Sequence, residues 1–122
     1  MIGQTEKEER FFRMLGLARR AGKVTLGTPL SLQELHRRRA RLLIVCDEAS
    51  DATKKKMHTQ SLYYRVPLVL VKMPQERFAQ LLGKQAPVVS AAVTDENFAA
   101  ELLKSSGKED SEHSEHGVYL WQ

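Results

Sequence analysis

Two strand-length apolar runs, Leu42–Cys46 and Val66–Val71, constrain the fold of this chain more than any other feature. Neither alternates with polar residues as a strand with one wet face would, so both read as strands covered on both sides. Between them Asp47, Glu48 and Ser50 mark a turn and a helix start, and the pattern predicts a helix from about Asp51 to Tyr63. Pro67 falls near the beginning of the second run, where a missing N–H is tolerated. Strands buried on both faces need helices above and below, which predicts a layered α/β domain.

The remaining segments fit that architecture. From about Glu6 to Ala21, Phe11, Met14, Leu15 and Ala18 form one helical stripe, and Gly22 is placed to end the helix. Lys23–Leu26 reads as a short strand, and a helix follows from about Pro29 to Arg39. Pro74 opens a short helix to Leu82 that Gly83 stops; Val88–Val93 is a further strand, and Thr94 or Asp95 caps a last helix through Leu103. The order α-β-α-β-α-β-α-β-α predicts one domain over residues 1–104, with a small sheet between helices. The short first strand is the candidate to run antiparallel to the others. Residues 105–122 are poor in apolar side chains until Val118-Tyr119-Leu120-Trp121 and read as an acidic, flexible tail. Whether the final tetrapeptide docks on the body or a partner, or does neither, is left open by the residues.

Charge is unevenly distributed. The tail carries Glu109, Asp110, Glu112 and Glu115 against Lys108, a net of −3, within a chain of net charge +4. A basic body of this kind points to a polyanion, most often a nucleic acid. Cys46 is the only cysteine, which excludes an intrachain disulfide and a cysteine metal cluster. Met1 to Arg10 is polar and charged, without the apolar core of a signal peptide, and no apolar run approaches membrane-spanning length. The expectation is a soluble, cytoplasmic protein with no membrane partner.

The stretch from Gly22 to Val45 carries the functional signal. Gly27 permits a tight turn, Thr28 is a good N-cap residue, and Pro29 suits a first helical position. Such a helix start presents unpaired N–H groups and a positive dipole end, suited to phosphate. Leu30, Gln33 and Arg37 fall on one stripe, opposite Leu32 and Leu35, so Leu30 is expected to be exposed beside the turn. Arg37, Arg38, Arg39 and Arg41 exceed what capping the helix C-terminus requires, so phosphate contacts are expected among them. Lys54-Lys55-Lys56 fans over a broad arc and reads as a solvated face first.

No convincing active site emerges. Cys46 ends an apolar strand and reads as a small buried hydrophobe. Asp47-Glu48 and Asp95-Glu96 read as turn and helix-start pairs, and His113 and His116 as part of a solvated polar run. No cofactor and no metal are expected.

An ordered set of short motifs gives the chain a family likeness. These are Leu15-Gly16-Leu17-Ala18-Arg19-Arg20-Ala21-Gly22-Lys23, Gly27, Ala40-Arg41-Leu42-Leu43-Ile44-Val45 and Asp47-Glu48-Ala49-Ser50. Thr53-Lys54-Lys55-Lys56, Tyr64-Arg65-Val66-Pro67, Leu82-Gly83-Lys84 and Val93-Thr94-Asp95-Glu96-Asn97-Phe98-Ala99 complete it. With these the chain resembles the kink-turn RNA-binding family of the archaeal ribosomal protein L-seven-Ae, in particular its small bacterial YlxQ-like branch.

The resemblance implies a three-layer α/β/α sandwich with a small four-stranded mixed sheet, and binding to structured RNA at kinked internal loops. It places the RNA-reading turn and helix at Gly27 to Gln33, and the cover over a splayed-out nucleotide at about Val71 to Met73. Where that family commonly reads Gly-Thr-Asn-Glu and then lysine, this chain has Pro29, Leu30 and Gln33 at the last three of those positions, and Arg38 in place of a glycine. The phosphate cradle is therefore kept while direct base readout is altered.

The expected function is non-enzymatic recognition of a ribosomal or regulatory RNA, with ribosomal or other RNA-associated proteins as further partners. Backbone contacts are assigned to Lys23, Gly27, Thr28 and Arg37, base-pair contacts to Leu30 and Gln33, and packing against the extruded nucleotide to Lys72 and Met73. Two alternatives stand beside it: a protein-interaction module that kept the fold, and the recognition subunit of an RNA-modifying enzyme.

Overall fold

A computed structural model describes residues 6–109 and 117–121. The elements follow in the order α1 (Glu6–Arg20), β1 (Val24–Leu26), α2 (Thr28–His36), β2 (Leu42–Cys46), α3 (Asp51–Tyr64) and β3 (Leu68–Lys72). After these come α4 (Gln75–Leu81), β4 (Ser90–Val93), α5 (Glu96–Lys104), β5 (Gly107–Glu109) and β6 (Gly117–Trp121). Local chemistry sets most boundaries. Gly22, at φ 76°, ends α1, and the Lys23 N–H donates to the Ala18 carbonyl at 2.9 Å. Ser50 Oγ accepts the Thr53 N–H at 3.1 Å to start α3, and Asp95 Oδ1 accepts the Phe98 N–H at 2.9 Å to start α5.

The strands form one mixed sheet in the order β1-β4-β2-β3-β6-β5. β2 and β3 are parallel, β4 is antiparallel to both β1 and β2, and β6 is antiparallel to β3. β1 therefore points the same way as β2 and β3. The expectation that β1 would be the reversed strand is corrected: β4 lies between β1 and β2 and is reversed against both.

Helices cover both faces. Phe11, Leu15, Phe78 and Leu102 from α1, α4 and α5 pack on one face; Leu32, Leu35 and Met57 from α2 and α3 pack on the other. β2 shows why its sequence is continuously apolar: Leu42, Ile44 and Cys46 enter the first core, Leu43 and Val45 the second. The three-layer sandwich is as expected from the sequence.

The sheet has six strands rather than the expected four. The two additional strands come from the segment read as a tail, so the domain does not stop at residue 104. β6 pairs along the whole of β3, from Leu68↔Trp121 to Lys72↔Gly117, and Val118 is 1% exposed in the main core. Pairing there protects an otherwise open edge of the most apolar part of the sheet. Residues 110–116, to which the expectation of flexibility also applied, lie outside the described residues. Among the described residues no helix is long and apolar enough to cross a membrane.

Candidate nucleic-acid interface

Strand directions gather a set of loops at one end of the sheet. β1, β2 and β3 finish there and β4 and β6 begin there, so Gly27–Leu30, Asp47–Glu48, Lys72–Met73 and Val88–Val89 share one rim. At the usual spacing of about 4.8 Å between strands, the tips of β1 and β3 are roughly 14 Å apart along it.

Gly27 forms the first corner. Its backbone, at φ 94° and ψ 154°, lies in a region other residues avoid, and a side chain added there would meet nothing within 4 Å. The turn thus needs glycine for its conformation and leaves open space above it. The Gly27 N–H donates to the Ser90 carbonyl and its own carbonyl accepts the Ser31 N–H, both at 2.9 Å. Gly27, not Thr28, is the N-cap, so α2 begins one residue earlier than expected. The Thr28 hydroxyl is engaged elsewhere, 2.6 Å from the hydroxyl of buried Ser90. Because Pro29 has no N–H, the open end of α2 offers the N–H groups of Thr28 and Leu30.

The exposed stripe of α2 is as expected: Leu32 and Leu35 are buried, while Leu30 (53% exposed), Gln33 and Arg37 face outward. Arg37 stands about 10 Å along the axis from Leu30. Lys23 precedes β1 and so lies at the opposite end of that strand from Gly27, with its carbonyl accepting the Thr94 N–H at 2.9 Å. The structure therefore brings Gly27, Thr28, Leu30 and Lys72 to the rim, with Gln33 below them. It leaves Lys23 and Arg37 towards the other end.

Most of the arginine run pairs with the protein's own groups at the surface. Arg39 grips Glu34 through Nε and Nη2 at 2.9 and 2.6 Å, and the Thr25 hydroxyl donates to the same carboxylate at 3.2 Å. Arg41 donates to the Arg38 carbonyl at 3.0 Å, and the Arg38 guanidinium lies 5.3 Å from the Tyr64 ring centroid. Among the described residues only Arg37 of the four has its side chain uncommitted. Arg38 also adopts φ 59°, the left-handed conformation that favours glycine at this position.

At the β3 corner Lys72 is half-buried, with Nζ 5.3 Å from the Tyr119 ring centroid. Met73 corrects an expectation: its side chain is buried in the main core and cannot pack on a surface nucleotide. Its backbone is what reaches the rim, donating from N–H to Asp47 Oδ1 at 3.2 Å and accepting the Cys46 thiol at 3.2 Å. Glu48 accepts the Gln75 N–H at 2.9 Å, and Lys54 Nζ donates to the Asp47 carbonyl at 3.0 Å. Asp47 and Glu48 thus brace a loop 26 and 27 residues further on, a role that no local pattern signals. Burial pushes the Asp47 carboxyl above its ordinary range, against the opposing pull of the Met73 N–H. Burial likewise pushes the Cys46 thiol up to about 11, in keeping with its reading as a hydrophobe. No three His, Cys, Asp or Glu side chains converge among the described residues, and His113 and His116 lie outside them.

The domain that builds this rim has relatives. Residues 9–103 match the Ribosomal protein L7Ae/L30e/S12e/Gadd45 family. The chain belongs to that family. It is similar to RNA-binding protein YlxQ of Bacillus subtilis (strain 168), with 40% identity over 93 residues, covering 76% of this chain and 91% of that protein. RNA-binding protein YlxQ of Enterococcus faecium is 32% identical over 91 residues, covering 75% and 85% of the two chains. Among solved structures it is similar to a protein of unknown function from Bacillus halodurans C, at a TM-score of 0.73 and 25% identity, over 79% of this chain and 95% of that one. The Giardia lamblia 15.5kD RNA binding protein shares the fold at a TM-score of 0.68 and 17% identity, over 83% and 88% of the chains. The likeness to the family and to its YlxQ-like branch, read first from short motifs, is thereby upheld. The family match ends at residue 103, so β5 and β6 lie beyond it.

Proposed function

We propose that this protein is a non-enzymatic RNA-binding protein that recognises structured RNA at a kinked internal loop. The observation that carries the reading is the Gly27 corner: an open glycine turn feeding the N-terminus of α2, on a family member whose relatives are named RNA-binding proteins. In this reading the Thr28 and Leu30 N–H groups hold a phosphate, while the side chains of Leu30 and Gln33 lie against base pairs flanking the kink. Lys72 stands at the far corner beside the extruded nucleotide, with the Met73 backbone shaping the loop. Lys23 and Arg37, further from the rim, contact phosphates of the adjoining stem. Loops and kinks present unstacked bases and 2′-hydroxyls, which suits RNA better than duplex DNA. A ribosomal or regulatory RNA in the cytoplasm is the setting this implies.

The test is titration with a kink-turn RNA at near-physiological salt, against the same RNA with its tandem G·A pairs replaced by Watson–Crick pairs. The expected result is a clear preference for the kinked form, reduced by Leu30→Ala and Gln33→Ala. Arg37→Ala is expected to weaken both RNAs alike and to lower the salt slope by about one. Equal, salt-sensitive binding to both RNAs would reduce the reading to charge attraction, and no binding to either would overturn it.

A further inference from the structure

The last strand creates a surface that the family match does not contain. Trp121 and Tyr119 lie opposite Leu68 and Leu70 in the register, and so share the sheet face on which α3 packs. β6 lies beyond α3, and a groove of about 400 Å³ opens between helix and strand, lined by Asp51, Lys54, Lys55, His58, Leu70 and Trp121. The Trp121 ring stacks on His58 with centroids 4.5 Å apart and an interplanar angle of 9°, which fixes its orientation. The spacing of Asp51, Lys54, Lys55 and His58 aims one stripe of α3 into the groove. Lys55 is exposed and has no ion pair among the described residues, whereas Lys54 is held by the Asp47 carbonyl and Asp51. Lys72, two residues above Leu70 on the same face, stands where the groove meets the rim.

We infer that this groove is a second RNA site, which takes an unpaired nucleotide by setting its base against Trp121 and its phosphates near Lys55 and Lys72. Lys54 and Lys55 line the groove against Asp51, and Lys72 stands at its end with Asp47, so cations outnumber carboxylates there as a phosphate site requires. Every base has a face that can stack on an indole. Continuity with the rim through Lys72 commits the occupant to RNA: a strand leaving the kinked loop beside β3 runs directly into the groove. The inference rests on the rim reading for that strand's path, but binding at Trp121 is measured separately.

Trp121 is the only tryptophan in the chain, so its fluorescence reports this site alone. The experiment titrates the full chain with a short unstructured RNA oligonucleotide at moderate salt, with inorganic polyphosphate as a base-free control. Saturable quenching by the oligonucleotide and none by polyphosphate is expected. Lys55→Glu, on an exposed helix position, should raise the midpoint several-fold without disturbing the fold. Trp121→Leu, followed by anisotropy of labelled RNA, should weaken oligonucleotide binding roughly tenfold. A kinked RNA carrying a single-stranded extension should bind more tightly than the blunt form, and Lys55→Glu should remove that gain. Equal quenching by polyphosphate, or no quenching at all, would overturn the inference. Kinked RNA carrying the single-stranded extension, discriminated from its control without any quenching, would leave the rim reading intact while refuting this one.

Discussion

Ser90 holds Thr28 in place: their hydroxyl oxygens are 2.6 Å apart, across 62 residues of sequence, and the Ser90 carbonyl also receives the Gly27 N–H at 2.9 Å. One buried serine at the start of β4 therefore fixes both residues of the turn from which α2 departs. Ser90→Ala removes the hydroxyl pair and leaves the backbone bond. The expected loss of stability is about 1 kcal/mol, the usual net value for such a bond. Under the proposed function, affinity for kinked RNA should fall several-fold, because the N–H groups assigned to phosphate are less well fixed. Thermal denaturation and the titration described above measure both effects.

Two glycines predict opposite responses to one substitution. At Gly27 an added methyl meets no atom, so the cost of Gly27→Ala comes wholly from φ 94° and is expected to be about 1–3 kcal/mol. At Gly16, inside α1, an added methyl also meets nothing, and Gly16→Ala should stabilise by about 0.5–1 kcal/mol. Chemical denaturation of the two variants decides the matter. Equal shifts in one direction would contradict the assigned backbone at Gly27.

Cys46 predicts a loss of stability in alkali. Its thiol is raised from the ordinary value of 9.0 to about 11, because burial disfavours the thiolate. The folded state thus retains the proton where the unfolded chain releases it. The contribution is complete below pH 9 and is lost as pH rises towards 11, with a total of about 2–3 kcal/mol. Lysines and tyrosines titrate in the same window, so the measurement is the difference between wild type and Cys46→Ala. That difference should shrink steadily between pH 9 and 11.

Val118 ties the end of the chain to the core. Val118→Ala should cost about 1.5–2.5 kcal/mol, from the lost methyl groups and the space they leave. Truncation after Lys104 should expose β3 as an apolar edge and cause association, visible by light scattering. The acidic residues 109–115 would compete with RNA for the basic body, but such a truncation also removes two strands. Neutralising Asp110, Glu112 and Glu115 separates charge from structure: tighter RNA binding at low salt would support competition, and unchanged affinity would exclude it.

The legible part of the sequence was the part governed by local rules. Gly22 and Gly83 end helices at φ 76° and 72°, Ser50 and Asp95 start them, and the exposed stripe Leu30-Gln33-Arg37 follows from 3.6 residues per turn. The continuous apolar runs of β2 and β3 announced burial on two faces. β6 was not legible: five residues after an acidic stretch carry no periodic signal, and their order comes from pairing with Leu68–Lys72. The partners of the arginine run were not legible either. Glu34 and the Arg38 carbonyl become partners through the turn that follows α2, and Tyr64 becomes one only when α2 packs beside α3.

The sequence by itself determined the layered α/β fold, the glycine turn before α2, and which side of that helix faces outward. Each follows from backbone preferences and hydrophobic periodicity within a few residues. Tertiary structure alone decided that Met73 turns inward and that Ser90 braces Thr28. It also decided that Lys23 and Lys72 stand at opposite ends of the sheet, and that Trp121 closes a groove beside Lys55. Those relations depend on strand order and direction, which bring together residues that no local preference connects.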